Sequence, residues 1–234
     1  MSDMRRPLWL VLAAALAGPL SADPSDLCIA VAQDAARLSG VPLSVLIAIT
    51  QTETGRTEGG QTRPWPWTVN MEGEGHWFDT REEALAYANA QYARGARSFD
   101  VGCFQINYRW HGENFTTIDQ MFDPLANATY AAQFLLRLHG ETGDWSKAAG
   151  AFHSRTEEYA TRYRARFDSL RSAAISAGAD NGSYPVADAA PVQVARSDAR
   201  GQAALLPRTN TFPLLQPRDG ARALGSLVPL TTGG

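Results

Sequence analysis

One glutamate, Glu53, closes a predominantly apolar run, Leu46-Ile47-Ala48-Ile49-Thr50-Gln51-Thr52-Glu53-Thr54-Gly55. A carboxyl group on such a segment is pushed toward burial, and burial raises its pKa. A carboxylic acid kept protonated near neutral pH can donate a proton to a glycosidic oxygen, which a solvated glutamate does poorly. The same position also suits an ordinary solvated carboxylate in the last turn of a helix. Other reactive groups do not assemble into a site: His76, His111, His139 and His153 lack metal-ligand spacing, and two distant cysteines cannot form a structural zinc site alone. No metal or other cofactor is expected. Gly73-Glu74-Gly75 reads as a turn rather than a phosphate cradle. Trp65, Trp67, Trp77 and Trp110 are dense enough to suggest sugar stacking, although aromatic residues also build cores; one or two of the four are expected at a groove.

The elements that must position Glu53 read as helical. A first helix starts near Ser25 or Asp26 and stops at Gly40, with Leu27, Val31, Ala35 and Leu38 on one stripe. The next has Pro42 at its first position and ends at Gly55, which puts Glu53 at a helix end. Between Gly55 and Asp100 the chain is irregular, and Trp67–Asn70 and His76–Phe78 flank a glycine turn as a small β-hairpin. Thr80 with Glu83 forms a capping-box signature for a helix that Gly95 can end. Asp123-Pro124 opens a helix to about Gly140, Asp144 caps the next, and a last helix begins at Thr156. The expected fold is mainly α, with the β-hairpin as an insertion.

Glu53 gains weight when read with Asp100-Val101-Gly102-Cys103-Phe104-Gln105-Ile106-Asn107 and Ala148-Ala149-Gly150-Ala151-Phe152-His153-Ser154. Together these segments resemble the soluble lytic transglycosylases of the goose-type lysozyme-like superfamily. In that family the catalytic glutamate ends a helix with a Val-Pro-hydrophobic start, as Val41-Pro42-Leu43 has here. A Ser, a Gly-hydrophobic-hydrophobic-Gln-Ile segment and an Ala-x-x-Tyr-Asn-x-Gly segment then follow in order. The resemblance covers roughly residues 25 to 168. It implies a lysozyme-like transglycosylase domain with Glu53 catalytic and Thr54, Gln105, Ile106, Asn107, Tyr108, Phe152 and His153 at the substrate. The chain departs from the pattern at Thr54, where Ser is usual, and at Cys103-Phe104, which replace the hydrophobic pair. It also departs at Phe152, which lacks the phenolic hydroxyl that often faces the glutamate; His153 or Tyr159 could supply that contact.

The reaction implied is cleavage of the β-1,4 bond between N-acetylmuramic acid and N-acetylglucosamine in peptidoglycan, leaving 1,6-anhydro ends. One carboxyl group suffices, because the muramoyl C6 hydroxyl is the nucleophile and the acetamido group can stabilise the developing cation. A hydrolytic lysozyme is the first alternative and would want a second carboxylate from among Glu58, Glu72, Glu74 and Asp100; Asp100 is expected to brace the turn into Gly102. A non-catalytic peptidoglycan-binding scaffold is the second.

Compartment and organisation follow from the ends. Arg5-Arg6, an apolar stretch from Leu8 to Leu20 and Ser21-Ala22 read as a signal peptide over residues 1–22, cleaved to leave no stable membrane span and a periplasmic protein. Cys28 and Cys103 could pair in an oxidising periplasm or remain buried thiols; the disulfide is the expectation. The leader carries two arginines and one aspartate, so its loss takes the formal charge from −3 to −4, a balance that gives no hint of nucleic-acid binding. Residues 23–171 form the domain. From Ser172 the chain is rich in Ala, Pro, Gly, Ser and Thr, and residues 172–234 are expected to be a disordered tail that could address a flagellar or secretion-system protein.

Overall fold

The computed structural model describes residues 23–58 and 60–185. The expected signal peptide and all of the expected tail beyond Pro185 lie outside the described residues. Within them the chain is mainly helical, with one small antiparallel sheet and a separate two-stranded ribbon.

Helix α1 (Pro24–Ser39) begins where Asp23 accepts a hydrogen bond from the Ser25 backbone N–H and ends at Gly40 in the left-handed region. Its buried stripe contains Val31 and Ala35 but not Leu38, which is 70% exposed. Helix α2 (Leu43–Thr54) is the centre of the domain: all its residues but Leu43 and Gln51 are buried. It packs against α1 on one side and α8 (Glu157–Ser176) on the other, while α6 (Pro124–Thr142) joins α1 to α7 (Trp145–His153), which leans on α8. Helix α6 continues two residues beyond the expected stop at Gly140, because Gly143 supplies the left-handed cap. Asp123 and Asp144 cap α6 and α7 as the sequence suggests, and Thr80 with Glu83 makes the full capping box of α3 (Arg81–Ala93).

The domain runs past Arg171, which lies inside α8. Pro42 offers α2 no side-chain cap. Asp180, in a 3-10 turn beyond α8, fills that role, accepting from the Ser44 N–H at 2.8 Å and the Ser44 hydroxyl at 2.7 Å. Asp180→Ala is expected to lower the unfolding free energy by roughly 1–2 kcal/mol, the usual cost of a lost N-terminal cap. Urea unfolding would measure it, and an unchanged midpoint would mean that the cap contributes nothing.

The expected hairpin is present as β3 (Thr68–Met71) and β4 (Glu74–Trp77), turning at Glu72-Gly73. Two further strands, β5 (Phe99–Val101) and β6 (Ile106–Asn107), extend it to a sheet of order β4-β3-β5-β6. Another hairpin, β1 (Arg56–Glu58) with β2 (Gln61–Arg63), follows α2 directly. The two short helices α4 (Tyr108–His111) and α5 (Ile118–Met121) connect the sheet to α6.

Cys28 and Cys103 form a disulfide with Cα atoms 5.5 Å apart. It ties α1 to the turn between β5 and β6 across 75 residues of chain, and a loop of that size contributes about 4 kcal/mol in the chain-entropy account. Among the described residues no helix is long and apolar enough to cross a membrane.

Candidate functional site

Glu53 is fully buried in the last turn of α2. Its Oε1 accepts a hydrogen bond from the Tyr163 hydroxyl of α8 at 2.7 Å, and its Oε2 has no partner among the described residues. Burial holds the carboxyl group well above its ordinary range. The Tyr163 hydrogen bond works against that rise, the charge of Asp100 adds to it, and the Arg166 guanidinium opposes it. Tyr163, also fully buried, has its own pKa raised by burial and then by Glu53, so it remains a donor. Burial thus favours the protonated form of Glu53, with one oxygen held by Tyr163 and the other without a partner among the described residues.

The donor is thus Tyr163, neither His153 nor Tyr159. Phe152 packs on Phe134 at 5.3 Å between ring centroids. His153 lies flat on the Tyr163 ring, at 4.6 Å and 11°. Burial depresses its pKa to about 4, so it is a neutral imidazole at pH 7 that walls in the phenol. Ala160, Tyr163, Phe167 and Ala174 share the buried face of α8 at helical spacing, and Tyr163 is the member with a polar tip.

Facing α2, the turn between β5 and β6 is fixed from several sides. Gly102 has φ +79°, and a Cβ there would meet the Asn127 amide at 2.9 Å, so glycine is required twice over. Asn127 accepts from the Phe104 N–H and donates to the Val101 and Met121 carbonyls. The Thr50 hydroxyl, one turn before Glu53, donates to the Cys103 carbonyl at 2.7 Å. This scaffold holds Gln105 at φ +46°, a conformation that costs a non-glycine residue free energy and persists where the surroundings enforce it. Gln105 donates to the Thr68 and Gly102 carbonyls, while its Oε1 is buried without a partner among the described residues.

Asp100 does not brace the turn into Gly102; it is the middle of a polar row across the sheet. Asn70, Asp100 and Asn107 are direct partners in the register of β3, β5 and β6. Asn70 donates to one Asp100 oxygen at 3.0 Å and Asn107 to the other at 2.7 Å. Burial raises Asp100 to about 7 although both amides pull the other way. Asn70 also accepts from the Gly73 N–H, and Asn107 from the Trp110 N–H. The row therefore couples the hairpin turn to the start of α4.

The remaining expected site residues make contacts of their own within the fold. Ile106 is 1% exposed and packs in the hydrophobic core. Thr54 spends its hydroxyl on the Thr50 carbonyl and the Trp65 N–H. Tyr108 stacks on Phe99 at 4.9 Å and meets Tyr92 edge-on. Trp65 is held by the Phe78 carbonyl, and Trp67 packs on the core, whereas Trp77 and Trp110 are each 40% exposed, the latter with the Arg109 guanidinium over its ring at 4.9 Å. Glu72 and Glu74 are exposed at the hairpin turn; the Glu58 side chain lies outside the described residues.

Comparisons with protein-family models, with curated proteins and with solved structures found no match. What the site can do is read from its own geometry. Among the described residues, those with buried polar side-chain atoms that lack a hydrogen bond include Glu53, Gln105, His153 and Arg166. Buried polar groups are ordinarily satisfied. Here the orphans include the buried acid, the cation that acts on it, the ring that covers its tyrosine, and the strained glutamine of the facing turn. No group of three or more His, Cys, Asp or Glu side chains among the described residues is placed to hold a metal ion.

Proposed function

We propose that this protein is a peptidoglycan lytic transglycosylase with a lysozyme-like domain, exported to the periplasm. The observation that carries the reading is Glu53: a fully buried carboxyl group with one oxygen on Tyr163 and the other unengaged among the described residues. Of the other two segments that carry the sequence resemblance, one meets α2 at the Thr50–Cys103 hydrogen bond and the other covers Tyr163 with His153, and the Cys28–Cys103 disulfide fits an oxidising compartment.

In this reading Glu53 Oε2 gives its proton to the glycosidic oxygen as the bond to C1 of the muramoyl sugar breaks. Tyr163 steadies the carboxylate that forms. Glu53 then removes the proton from the sugar's C6 hydroxyl, whose oxygen bonds to C1, and the acid is restored with no water consumed. Hydrolysis would need a group to orient water. Asp100, the carboxylate that acts on Glu53, is buried with an amide on each oxygen, which favours the anhydro route. Its chain beyond Pro185 is offered as the part that addresses a flagellar or secretion assembly.

Mass spectrometry of the sugars released from purified peptidoglycan tests the proposal. Anhydro-muropeptides are expected. Reducing-end products would replace it with the hydrolase reading, and binding without products with the scaffold reading.

A further inference from the structure

The polar row across the sheet has one consistent set of hydrogen-bond directions. A backbone N–H can only donate, so the Gly73 N–H at 3.1 Å fixes the place of Asn70 Oδ1, and the Trp110 N–H at 3.3 Å fixes that of Asn107 Oδ1. Each amide must then turn its NH2 group toward Asp100, at 3.0 Å from Asn70 and 2.7 Å from Asn107. Both carboxyl oxygens of Asp100 accept. Asp100 is 1% exposed and makes no other side-chain hydrogen bond among the described residues, so a proton on it would have no acceptor there. The row as it stands is the arrangement of an ionised Asp100.

Burial works against that arrangement, raising Asp100 to about 7 although both amides pull the other way. A proton bound there finds an acceptor when one amide turns over, giving its Oδ1 to Asp100 and its NH2 to the backbone side. The turned amide loses its backbone partner. For Asn70 the loss falls on the hairpin turn, and for Asn107 on α4, whose N-cap it is. Asn107 has the weaker hold. Its bond to the Trp110 N–H is the longest of the four, α4 has four residues, and Trp110 is 40% exposed, so water can take over the freed N–H.

We propose that the Asn70–Asp100–Asn107 row is a proton-operated latch on α4: ionised Asp100 keeps Asn107 as the cap of that helix, and a proton on Asp100 turns Asn107 over and releases the helix start. The groups around the row leave this task to Asp100. Strands β3 and β6 carry no titratable side chain, and α3, which packs on β3, buries only Ala84 and Ala88. On α4, Arg109 carries a fixed charge. Buried His111 is neutral above its pKa of about 4, and the Tyr92 hydrogen bond with burial raises Tyr108 above its ordinary 10. On α2, Glu53 is coupled to Asp100 as a like charge, with Arg166 of α8 opposing it. The latch operates whether or not Glu53 is catalytic, and it lies in the segment from Gln105 to Tyr108 that the resemblance assigns to substrate.

Amide hydrogen exchange of the mature full chain, followed by NMR and corrected for the ordinary pH dependence of exchange, tests the latch. Between pH 9 and pH 5 protection of the Trp110 N–H is expected to fall about tenfold, the scale of a lost N-cap, while that of the Gly73 N–H holds. Asp100→Asn copies the protonated row, with one acceptor oxygen and one NH2 group, and should leave Trp110 poorly protected at every pH. Asn107→Ser supplies a hydroxyl cap that needs no turning and should keep Trp110 protected at every pH. Where Asp100→Asn fails to fold, Asn107→Ser decides. Glu53→Gln should respond to pH as wild type does. Trp110 protection that is constant with pH in wild type, or that still falls with pH in Asn107→Ser, overturns the latch. So does a loss found at Gly73 instead of Trp110, or a pH response that Glu53→Gln abolishes.

Discussion

Glu53→Gln is expected to reduce strand cleavage about 10³-fold, the scale of a lost general acid, and at the same time to stabilise the protein at neutral and alkaline pH. Both effects have one origin. Glutamine has no proton to give, and it is also neutral at every pH. The glutamate's pKa is raised in the folded state above its ordinary value of 4.5. Its favourable contribution is therefore complete below pH 4.5 and is lost as pH rises toward the folded-state value, because the unfolded chain ionises first. Asp100 acts in the same sense, from 3.8 to about 7. A shift of that size corresponds to about 4 kcal/mol lost between those pH values. Wild type should thus lose stability from pH 4 to pH 8, and Glu53→Gln should lose less. Urea unfolding of both proteins at several pH values checks this. Equal losses in the two would mean that Glu53 ionises without cost, and the buried-acid mechanism would go with it.

The position of Glu53 was legible in the sequence because two independent signals, an apolar run and a helix stop at Gly55, placed one carboxylate at the end of a buried helix. Caps were legible for the same local reason: Asp123, Asp144 and Thr80 with Glu83 act within a few residues of themselves. What failed was longer in range. Strands β5 and β6 are three and two residues long and buried throughout, so no alternation marks them. Leu38 obeys helical spacing, but among the described residues no element covers it, and it remains exposed. Asp180 caps a helix 136 residues earlier in the chain, and nothing in the Ala-rich stretch around it signals that partner. The substitute for the missing tyrosine at Phe152 was sought nearby, at His153 and Tyr159. It comes from Tyr163, one turn further along α8, because His153 uses its ring face to cover that tyrosine. Motif spacing locates such a group only while the following helix starts at the same place.

Tyr163→Phe separates a catalytic role for that contact from a packing role. The hydroxyl donates to Glu53 Oε1 and favours the carboxylate, the form that the proposed reaction gives Glu53 only as the leaving oxygen accepts its proton. An interaction that strengthens toward the transition state lowers the barrier rather than improving binding. Its loss should reduce kcat about 10²-fold with little change in KM, while the phenylalanine ring still fills the space under His153. Because the hydrogen bond opposes the effect of burial on Glu53, removing it raises the Glu53 pKa further, and the high-pH limb of kcat moves to more alkaline pH. Asp100→Asn should move the limb the other way, since the Asp100 charge, present once it ionises near pH 7, raises Glu53. Arg166 is unchanged in both variants and continues to favour the carboxylate; buried His153 is neutral in this range and adds no charge. Profiles of kcat from pH 4 to pH 9 for the three proteins should therefore fan out in opposite directions from wild type. Two variants that lose activity equally at every pH, with the limb unmoved, would assign Tyr163 and Asp100 to packing and leave Glu53 without the partners proposed for it.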